Sequence, residues 1–260
     1  MFFRLIGLSL KVNALSELEY RANFFLQIIQ SALSLVIGIG GIAIIFGHTD
    51  SLNGWSANQL LIVIGVYTLI GGVISFIIRP SLGELMQAVR AGTLDFTLLK
   101  PQDAQFMVSI KKFAIWQILD IVLGLGIITI GVIQTATTIG IGQIFTFLLM
   151  LLAGGIIIYS FWLMLASTAF WLIKVDNILF IFESMYEAGR YPVTIYPTWL
   201  QFVLTFFVPI AFAITVPAQA LIGQLPIETG ILALGIAIAI FILSRLIWIW
   251  GLRHYSGASA

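Results

Sequence analysis

The chain has 260 residues, of which 60% are hydrophobic and only 9% are charged, and its net charge is +1. A soluble domain carries about 25% charged residues, so this composition excludes a soluble protein and predicts an integral membrane protein. Because the sequence has no cysteine, disulfide bonds, thiol nucleophiles and thiolate metal sites are excluded. The small net charge gives no indication of a nucleic-acid partner.

The first predicted element is an amphipathic helix over residues 1–22. Its phenylalanine and aliphatic side chains can enter lipid, while Arg4, Lys11, Glu17 and Arg21 stay in water. This distribution is typical of a helix that lies in the membrane interface.

Long uncharged stretches predict six transmembrane helices. About 20 apolar residues are enough for a helix to cross the hydrocarbon core. Asp, Glu, Lys and Arg are absent from residues 22–47, 51–78, 121–173, 191–227 and 229–244. We therefore predict an all-α membrane protein with a single transmembrane domain over residues 1–260. Its segments are the interface helix at 1–22, spans one and two in 23–78, a polar segment at 79–112, spans three and four in 113–173, a less regular region at 174–228, and the last span with its tail at 229–260.

The distribution of positive charge predicts the orientation. Eleven of the twelve Lys and Arg residues lie before residue 22, within 79–112, at Lys174 or after residue 244. The loops 48–56, 134–142 and 217–228 have none. Cytoplasmic loops of membrane proteins carry an excess of Lys and Arg. Both termini and residues 79–112 are therefore expected in the cytoplasm.

Residues 174–228 allow two paths across the membrane. The region contains Glu183, Glu187 and Arg190, followed by prolines at 192, 197, 209 and 217. Proline breaks a helix, and irregular backbone at membrane depth requires protein or water around it. One path is a cytoplasmic loop followed by a span after the second proline. The other is an ascending helix followed by short helices that re-enter from the outer face. The residues alone leave both open.

The sequence shows no motif of a catalytic site. Without a Gly-Lys pair there is no phosphate-binding Walker loop, so this chain is not expected to hydrolyse ATP. His48 and His254 fall on opposite sides of the predicted membrane, which excludes a two-histidine metal site within one chain. We therefore expect that the chain is not an enzyme and that it binds no cofactor or metal itself.

Two segments resemble a known family. The first reads Arg79-Pro-Ser-Leu-Gly-Glu-Leu-Met-Gln-Ala-Val-Arg90-Ala-Gly92-Thr-Leu-Asp95-Phe-Thr-Leu-Leu-Lys100-Pro101, and the second reads Tyr191-Pro192-Val-Thr-Ile-Tyr-Pro197 with Pro209 and Pro217. With the chain length and the spans, they are similar to permease subunits of type-2 ATP-binding cassette (ABC) exporters, in a bacterial branch of six-span permeases. Lys100 stands where that family usually has arginine.

The resemblance implies that the segment after span two is a cytoplasmic coupling helix that docks on an ATPase subunit. The residues suit this, because Ser81 can cap a helix with Glu84 as its capping-box partner. Apolar residues then recur at helical spacing as far as Val89. The implied coupling residues are Arg79, Pro80, Leu82, Glu84, Leu85, Met86, Arg90, Gly92, Asp95, Lys100 and Pro101. In the alternative interpretation, the apolar stripe packs on the base of the protein itself.

The family also favours the re-entrant path and suggests a translocation path. Glu183 and Glu187 are one helical turn apart and Arg190 follows three residues later, so the three share one face. Ionisable groups at membrane depth face protein or a water-filled cavity. The candidates are Asp120, Glu183, Glu187, Arg190, Tyr191 and Pro192. The alternatives are an ion pair at a helix end and, for Asp120, either a bond to its neighbours Trp116 or Gln117 or a side chain that reaches the membrane interface.

The predicted function is that of the permease subunit of an ATP-driven exporter in the bacterial inner membrane. The resemblance implies two cytoplasmic ATPase subunits, which bind ATP and Mg²⁺, and a second six-span permease, with a heterodimer favoured. The apolar spans favour an amphiphilic or lipid-like substrate. Two other classes stay open: a secondary transporter that uses Asp120, Glu183 and Glu187 for ion coupling, and a membrane scaffold.

Overall fold

The computed structural model describes residues 2–18, 21–135, 139–172 and 176–255, so Lys174 and the tail after Tyr255 lie outside the described residues. The described chain is helical. The helices are α1 (Phe2–Leu18), α2 (Arg21–Phe46), α3 (Ala57–Val73), α4 (Arg79–Arg90), α5 (Asp95–Leu98), α6 (Ala104–Ser109), α7 (Ile118–Thr135), α8 (Ile141–Ser167), α9 (Asp176–Tyr186), α10 (Thr198–Phe202), α11 (Ile210–Ala213), α12 (Thr215–Leu221) and α13 (Ile227–Leu252).

The predicted all-α membrane fold is confirmed. Lipid offers no hydrogen-bond partners, so an uncharged stretch must pair its backbone groups within a helix. Five helical stretches are long and apolar enough to cross a membrane: Ala22–Phe46, Ala57–Arg90, Ile115–Thr135, Ile141–Phe170 and Ile227–Leu252. A further pair, Thr198–Phe207 and Ile210–Leu221, is bent by 73° at a short break.

The helix bundle has two ends of different charge. At one end, which we call the basic end, residues 79–117 lie beside Tyr255, whose hydroxyl accepts a hydrogen bond from the Leu94 backbone N–H at 3.2 Å. At the opposite end, the Asn58 side-chain amide donates to the Gln134 carbonyl at 2.7 Å, which joins the start of α3 to the end of α7. The Lys and Arg residues of 79–112 are therefore separated by the length of the bundle from the loops that have no Lys or Arg.

Helices α3 and α7 pack closely because glycines line their contact. The glycines are Gly65 and Gly72 on α3 and Gly124 and Gly131 on α7. A Cβ atom added at Gly124 would lie 2.5 Å from the backbone nitrogen of Leu69. Side chains larger than hydrogen would hold the two backbones apart, as in other close helix contacts within membranes.

Helix α9 runs from the basic end towards the opposite end. Near its middle, the Glu183 Oε1 atom lies 3.0 Å from Arg79 Nε at the start of α4. Beyond the helix, the Thr194 carbonyl accepts a hydrogen bond from the Asn53 side chain in the loop at the opposite end. The α-helix has 11 residues, fewer than the roughly 20 of a standard span. Helix α9 and the turns after it nevertheless connect the two ends of the bundle, which agrees with the ascending helix of the second predicted path.

The bent pair enters and leaves the bundle at the opposite end. It begins after Thr194, and its deepest residues pack with their backbone against Gly154 of α8. It ends at Gly223, which lies against the Gln143 side chain in the first turn of α8. Gln143 and Gly154 are about 16 Å apart along that helix. The break between the two halves is buried, with Val208 8% exposed and Ile210 fully buried, as irregular backbone at this depth requires.

Helix α1 lies along the basic end. The Glu17 carboxylate accepts a hydrogen bond from the Ile115 backbone N–H at 3.1 Å, and the Asn13 amide lies 3.4 Å from the Lys111 carbonyl. Apolar side chains such as Val12, which is 64% exposed, face outwards. This arrangement agrees with the predicted interface helix.

Candidate functional site

Helix α4 is a continuation of α3 rather than a separately capped helix. A π-helical turn, Ile74–Ile78, joins the two. Pro80 has no N–H for the carbonyl one turn earlier, and that carbonyl, on Phe76, accepts a hydrogen bond from the Ala114 N–H at 2.9 Å. The predicted capping box is therefore wrong: Ser81 lies inside the helix, and its hydroxyl donates to the Lys112 carbonyl at 2.7 Å.

The apolar stripe of α4 packs on the protein itself, as the alternative interpretation held. Leu82, Leu85 and Met86 are 1%, 0% and 3% exposed, and α4 contacts α6 and α8. These three side chains cannot touch an ATPase directly. Glu84 is also engaged within the chain, since its carboxylate lies 3.1 Å from Lys112 Nζ.

A small apolar projection follows α4 at the basic end. Gly92, with φ of +67°, ends the helix as predicted, because glycine adopts this left-handed conformation without steric cost. The chain then forms α5, on which Phe96 is 73% exposed and the following Leu99 is 82% exposed. Leu94, 1% exposed, anchors the base of this projection. Arg90 and Lys100, at its two edges, are exposed.

A polar network connects the polar segment to two long helices. Arg245 of α13 forms an ion pair with Asp103 at 2.5 Å and donates to Gln105 Oε1 at 2.7 Å. The Gln105 amide in turn donates to the Tyr159 hydroxyl of α8 at 3.2 Å. Sequence reasoning missed this network, although Arg245 is a cation within an apolar helix, which is a signal that a partner exists.

The network predicts a pH-dependent stability. Hydrogen bonds from the Arg245 guanidinium hold the pKa of the Asp103 carboxyl below its ordinary value of 3.8. The ionised pair therefore stabilises the fold above that value, and this contribution is lost as the pH falls through the lowered pKa. Asp103→Asn is expected to lower the unfolding temperature at pH 7 by about 1–3 °C. In thermal unfolding of the purified protein, the gap from the wild type should close in acid. An equal gap at all pH values, or an equal loss in the exposed Asp50→Asn control, would contradict this.

A polar cavity lies between the helices of the bundle. Its volume is about 420 Å³, and it is lined by residues of α2, α3, α4, α7, α8 and α9 with the turns that adjoin them. The lining residues are Gln27, Gln30, Ser31, Ser34, Leu35, Tyr67, Thr68, Gly71, Ile74, Ser75, Arg79, Gln117, Asp120, Trp162, Phe182, Glu183, Tyr186 and Glu187. Ionisable side chains within apolar membrane helices are energetically costly, and they usually mark a functional site.

Asp120 connects α7 to α2 at the cavity wall. Its carboxylate accepts hydrogen bonds from the Gln27 amide at 2.9 Å and from the Ser31 hydroxyl. Gln27 is itself held by the Gln117 amide at 2.7 Å. The expected bond between Asp120 and its neighbours Trp116 or Gln117 is thus replaced by bonds across the helix contact.

The acidic residues of α9 and the turn after it also reach this cavity. Glu183 pairs there with Arg79, and Glu187 lies one turn further along. Arg190 lies beside the cavity, with its Cζ atom 5.5 Å from the centre of the Tyr67 ring. Of the remaining predicted residues, Tyr191 packs its hydroxyl against Gly41, and Pro192 is buried nearer the opposite end.

Sequence reasoning missed the contribution of α2. Gln27, Gln30, Ser31 and Ser34 recur every three or four residues, so they form one polar stripe on an apolar helix. That spacing is a signal that could have identified them.

Within the described residues, no group of three or more His, Asp or Glu side chains could hold a metal ion.

Long apolar helices around a polar cavity define the class of multi-span membrane proteins. The sequence model described as "ABC-2 family transporter protein" matches residues 32–259, and the chain belongs to this family. Its permeases are typically not catalytic, and the ATPase lies in partner subunits. Comparison with curated proteins and with solved structures found no match.

Proposed function

We propose that the chain is the permease subunit of an ATP-driven exporter, and that a cytoplasmic ATPase reshapes the polar cavity through the segment 79–101. The position of Arg79 carries this proposal. It is the first residue of α4, it lines the cavity, and it pairs with Glu183 of α9. A displacement of α4 therefore acts on the cavity wall without an intermediate element.

The polar network gives the same segment a second connection to the bundle. Asp103 and Gln105, at the start of α6, hold Arg245 of α13, and Gln105 also holds Tyr159 of α8. Hydrogen bonds to charged groups are stronger than those between neutral ones. Movement of the platform formed by α4 to α6 would thus reach α8 and α13 as well.

The partners follow from the charge and from the exposed polar groups. The basic end faces the cytoplasm in this proposal, since positive residues collect on that side, and the ATPase subunits that bind ATP and Mg²⁺ dock there.

Gln30, Ser34 and Glu187 line the cavity yet are exposed in a single chain. Polar groups at membrane depth need protein or water around them. A second six-span permease, an unlike one by analogy with the family, would cover this side.

The docking surface in this proposal is the projection formed by Phe96 and Leu99. These are the most exposed large apolar side chains of α5 and its end, with Leu98 at 36% between them, and Asp95, Lys100 and Pro101 flank them. An exposed aromatic residue with a polar surround is typical of the residues that dominate binding energy in protein interfaces. The buried residues Leu82, Leu85 and Met86 would serve to hold the projection in place.

Phe96→Asp is expected to weaken association with the ATPase by at least about tenfold, because a charge replaces the central apolar contact. The measurement is the amount of ATPase that co-purifies with the full chain from membranes, followed by a titration of the purified subunits. Phe96 has few contacts within its own chain, so insertion and thermal unfolding should stay unchanged.

The matched control is Ile227→Asp, at a position that is 74% exposed at the opposite end of the bundle. This variant should retain the ATPase at the wild-type level. Recovery of equal amounts of ATPase with Phe96→Asp and with the control would contradict the proposed docking surface. Leu85→Asp is a poor test because Leu85 is fully buried, and its loss of ATPase would not separate docking from folding.

A further inference from the structure

The cavity has an excess of negative charge. Three carboxylates line it, and the guanidinium of Arg79 is 3.0 Å from one of them, Glu183. Asp120 receives its hydrogen bonds from the neutral Gln27 and Ser31 side chains, so no cation neutralises it in these bonds. Glu187 is exposed towards the cavity side. Carboxylates without a paired cation attract a positive group.

Aromatic rings form another part of the wall. Tyr67 and Tyr186 stack with their centres 4.9 Å apart, and Phe182 lies edge-on to Trp162 at 5.2 Å. The faces of such rings attract cations. The Arg190 guanidinium already lies over Tyr67, so a ligand would place its positive group at the carboxylates and only its apolar part against these rings.

Trp162 completes this wall. Its side chain is fully buried and lines the cavity, so the apolar part of a ligand would meet an aromatic ring there.

We propose that the cavity binds an organic cation with an apolar body, its positive group between Asp120 and Glu187 and its apolar part against the aromatic wall. This inference rests on the proposed function, because it names the class of substrate for that same cavity. The volume of about 420 Å³ falls within the range of about 300–1,000 Å³ for small-molecule sites.

Two ions of the same shape and opposite charge test the inference. Tetraphenylphosphonium is the cation and tetraphenylborate the anion, and both carry the same four phenyl groups. Binding is measured on the full chain in nanodiscs, with empty nanodiscs subtracted to remove partitioning into lipid. The cation is expected to bind at least about tenfold more tightly than the anion, since one unpaired carboxylate nearby supplies that preference. Equal or stronger binding of the anion would overturn the inference.

Charge-removing variants locate the site. Glu187→Gln and Asp120→Asn are each expected to weaken binding of the cation by about tenfold. Asparagine keeps an acceptor for Gln27 and Ser31, and Glu187 is exposed, so both variants should fold. The control is Glu228→Gln, which removes an exposed carboxylate at the opposite end. Unchanged affinity in both cavity variants, or an equal loss in the control, would contradict the location.

The ATPase separates this inference from the proposed function. In the complex that co-purifies with the chain, tetraphenylphosphonium should change the rate of ATP hydrolysis, and Glu187→Gln should abolish that change. If the ATPase is held but the cation neither binds nor changes its rate, the substrate class is wrong and the permease function stands. If the cation binds while no ATPase is held, the proposed function fails and the site remains.

Discussion

Gly124→Leu is expected to prevent α3 and α7 from packing and to reduce the yield of folded protein severely. A Cβ atom at this position would lie 2.5 Å from the backbone nitrogen of Leu69 and 2.8 Å from the Gly65 carbonyl oxygen. Both are backbone atoms, so no side-chain rotation relieves the clash. Insertion of extra atoms into a packed core costs about 1–3 kcal/mol when side chains can adjust, and the cost here should exceed that range.

The matched control is Gly126→Leu, two residues further along the same helix. A Cβ atom there meets nothing within 4 Å, so the variant changes helix propensity and hydrophobicity equally but not the contact with α3. Fluorescence-detected size-exclusion chromatography and thermal unfolding give the readout. Gly126→Leu should match the wild type, whereas Gly124→Leu should aggregate or unfold many degrees earlier. Equal behaviour of the two variants would show that the α3–α7 contact is not as close as described.

Reversal of the charge at Arg79 is the second change with a large expected effect. Arg79→Glu places a carboxylate where the guanidinium lay 3.0 Å from Glu183, so the attraction between α4 and α9 at the cavity wall becomes a repulsion. We expect transport by the complete complex to fall at least tenfold. The free energy of unfolding should change less, because the two side chains are 58% and 34% exposed and exposed pairs contribute little to stability.

The combined variant Arg79→Glu with Glu183→Arg restores the pair with its direction reversed. If the pair transmits movement from α4 to α9, transport should recover to a large fraction of the wild-type rate. The two single changes would then show a strong interaction energy in a double-mutant cycle. Independent losses that simply add would show that Arg79 and Glu183 act separately, and would remove the link on which the proposed coupling depends.

The spans were predictable from the sequence because a stretch that crosses lipid must be apolar and must pair its backbone groups within its own helix. Uncharged runs therefore indicate the spans and helix breakers indicate their ends. The left-handed Gly92 is found where the helix was expected to end. The start of α4 was not predictable in the same way. Arg79 and Pro80 indicate the end of a span, yet the N–H of Ala114 satisfies the carbonyl that the proline leaves free. This partner is a tertiary contact, which no local pattern reveals.

The candidate site was predictable only through its charged members. Asp120, Glu183 and Glu187 stand out in an apolar chain, and the structure brings all three to one cavity. The neutral Gln27 and Ser31 on α2 give a weaker signal, although they hold Asp120 in place. The pairing of Asp103 with Arg245 joins residues that are 142 positions apart, and neither residue indicates which partner it has.

The bond from Ala114 to Phe76 has a mechanical consequence. Because the Ala114 N–H, in the segment before α7, holds the Phe76 carbonyl one turn before Pro80, the joint between α3 and α4 is tied to the start of α7. A displacement of the projection at Phe96 would therefore also displace the start of α7, and Asp120 lies about 10 Å further along that helix. In the proposed coupling, a movement of α4 would therefore reach the cavity wall at two places, at Glu183 through Arg79 and at Asp120 through α7.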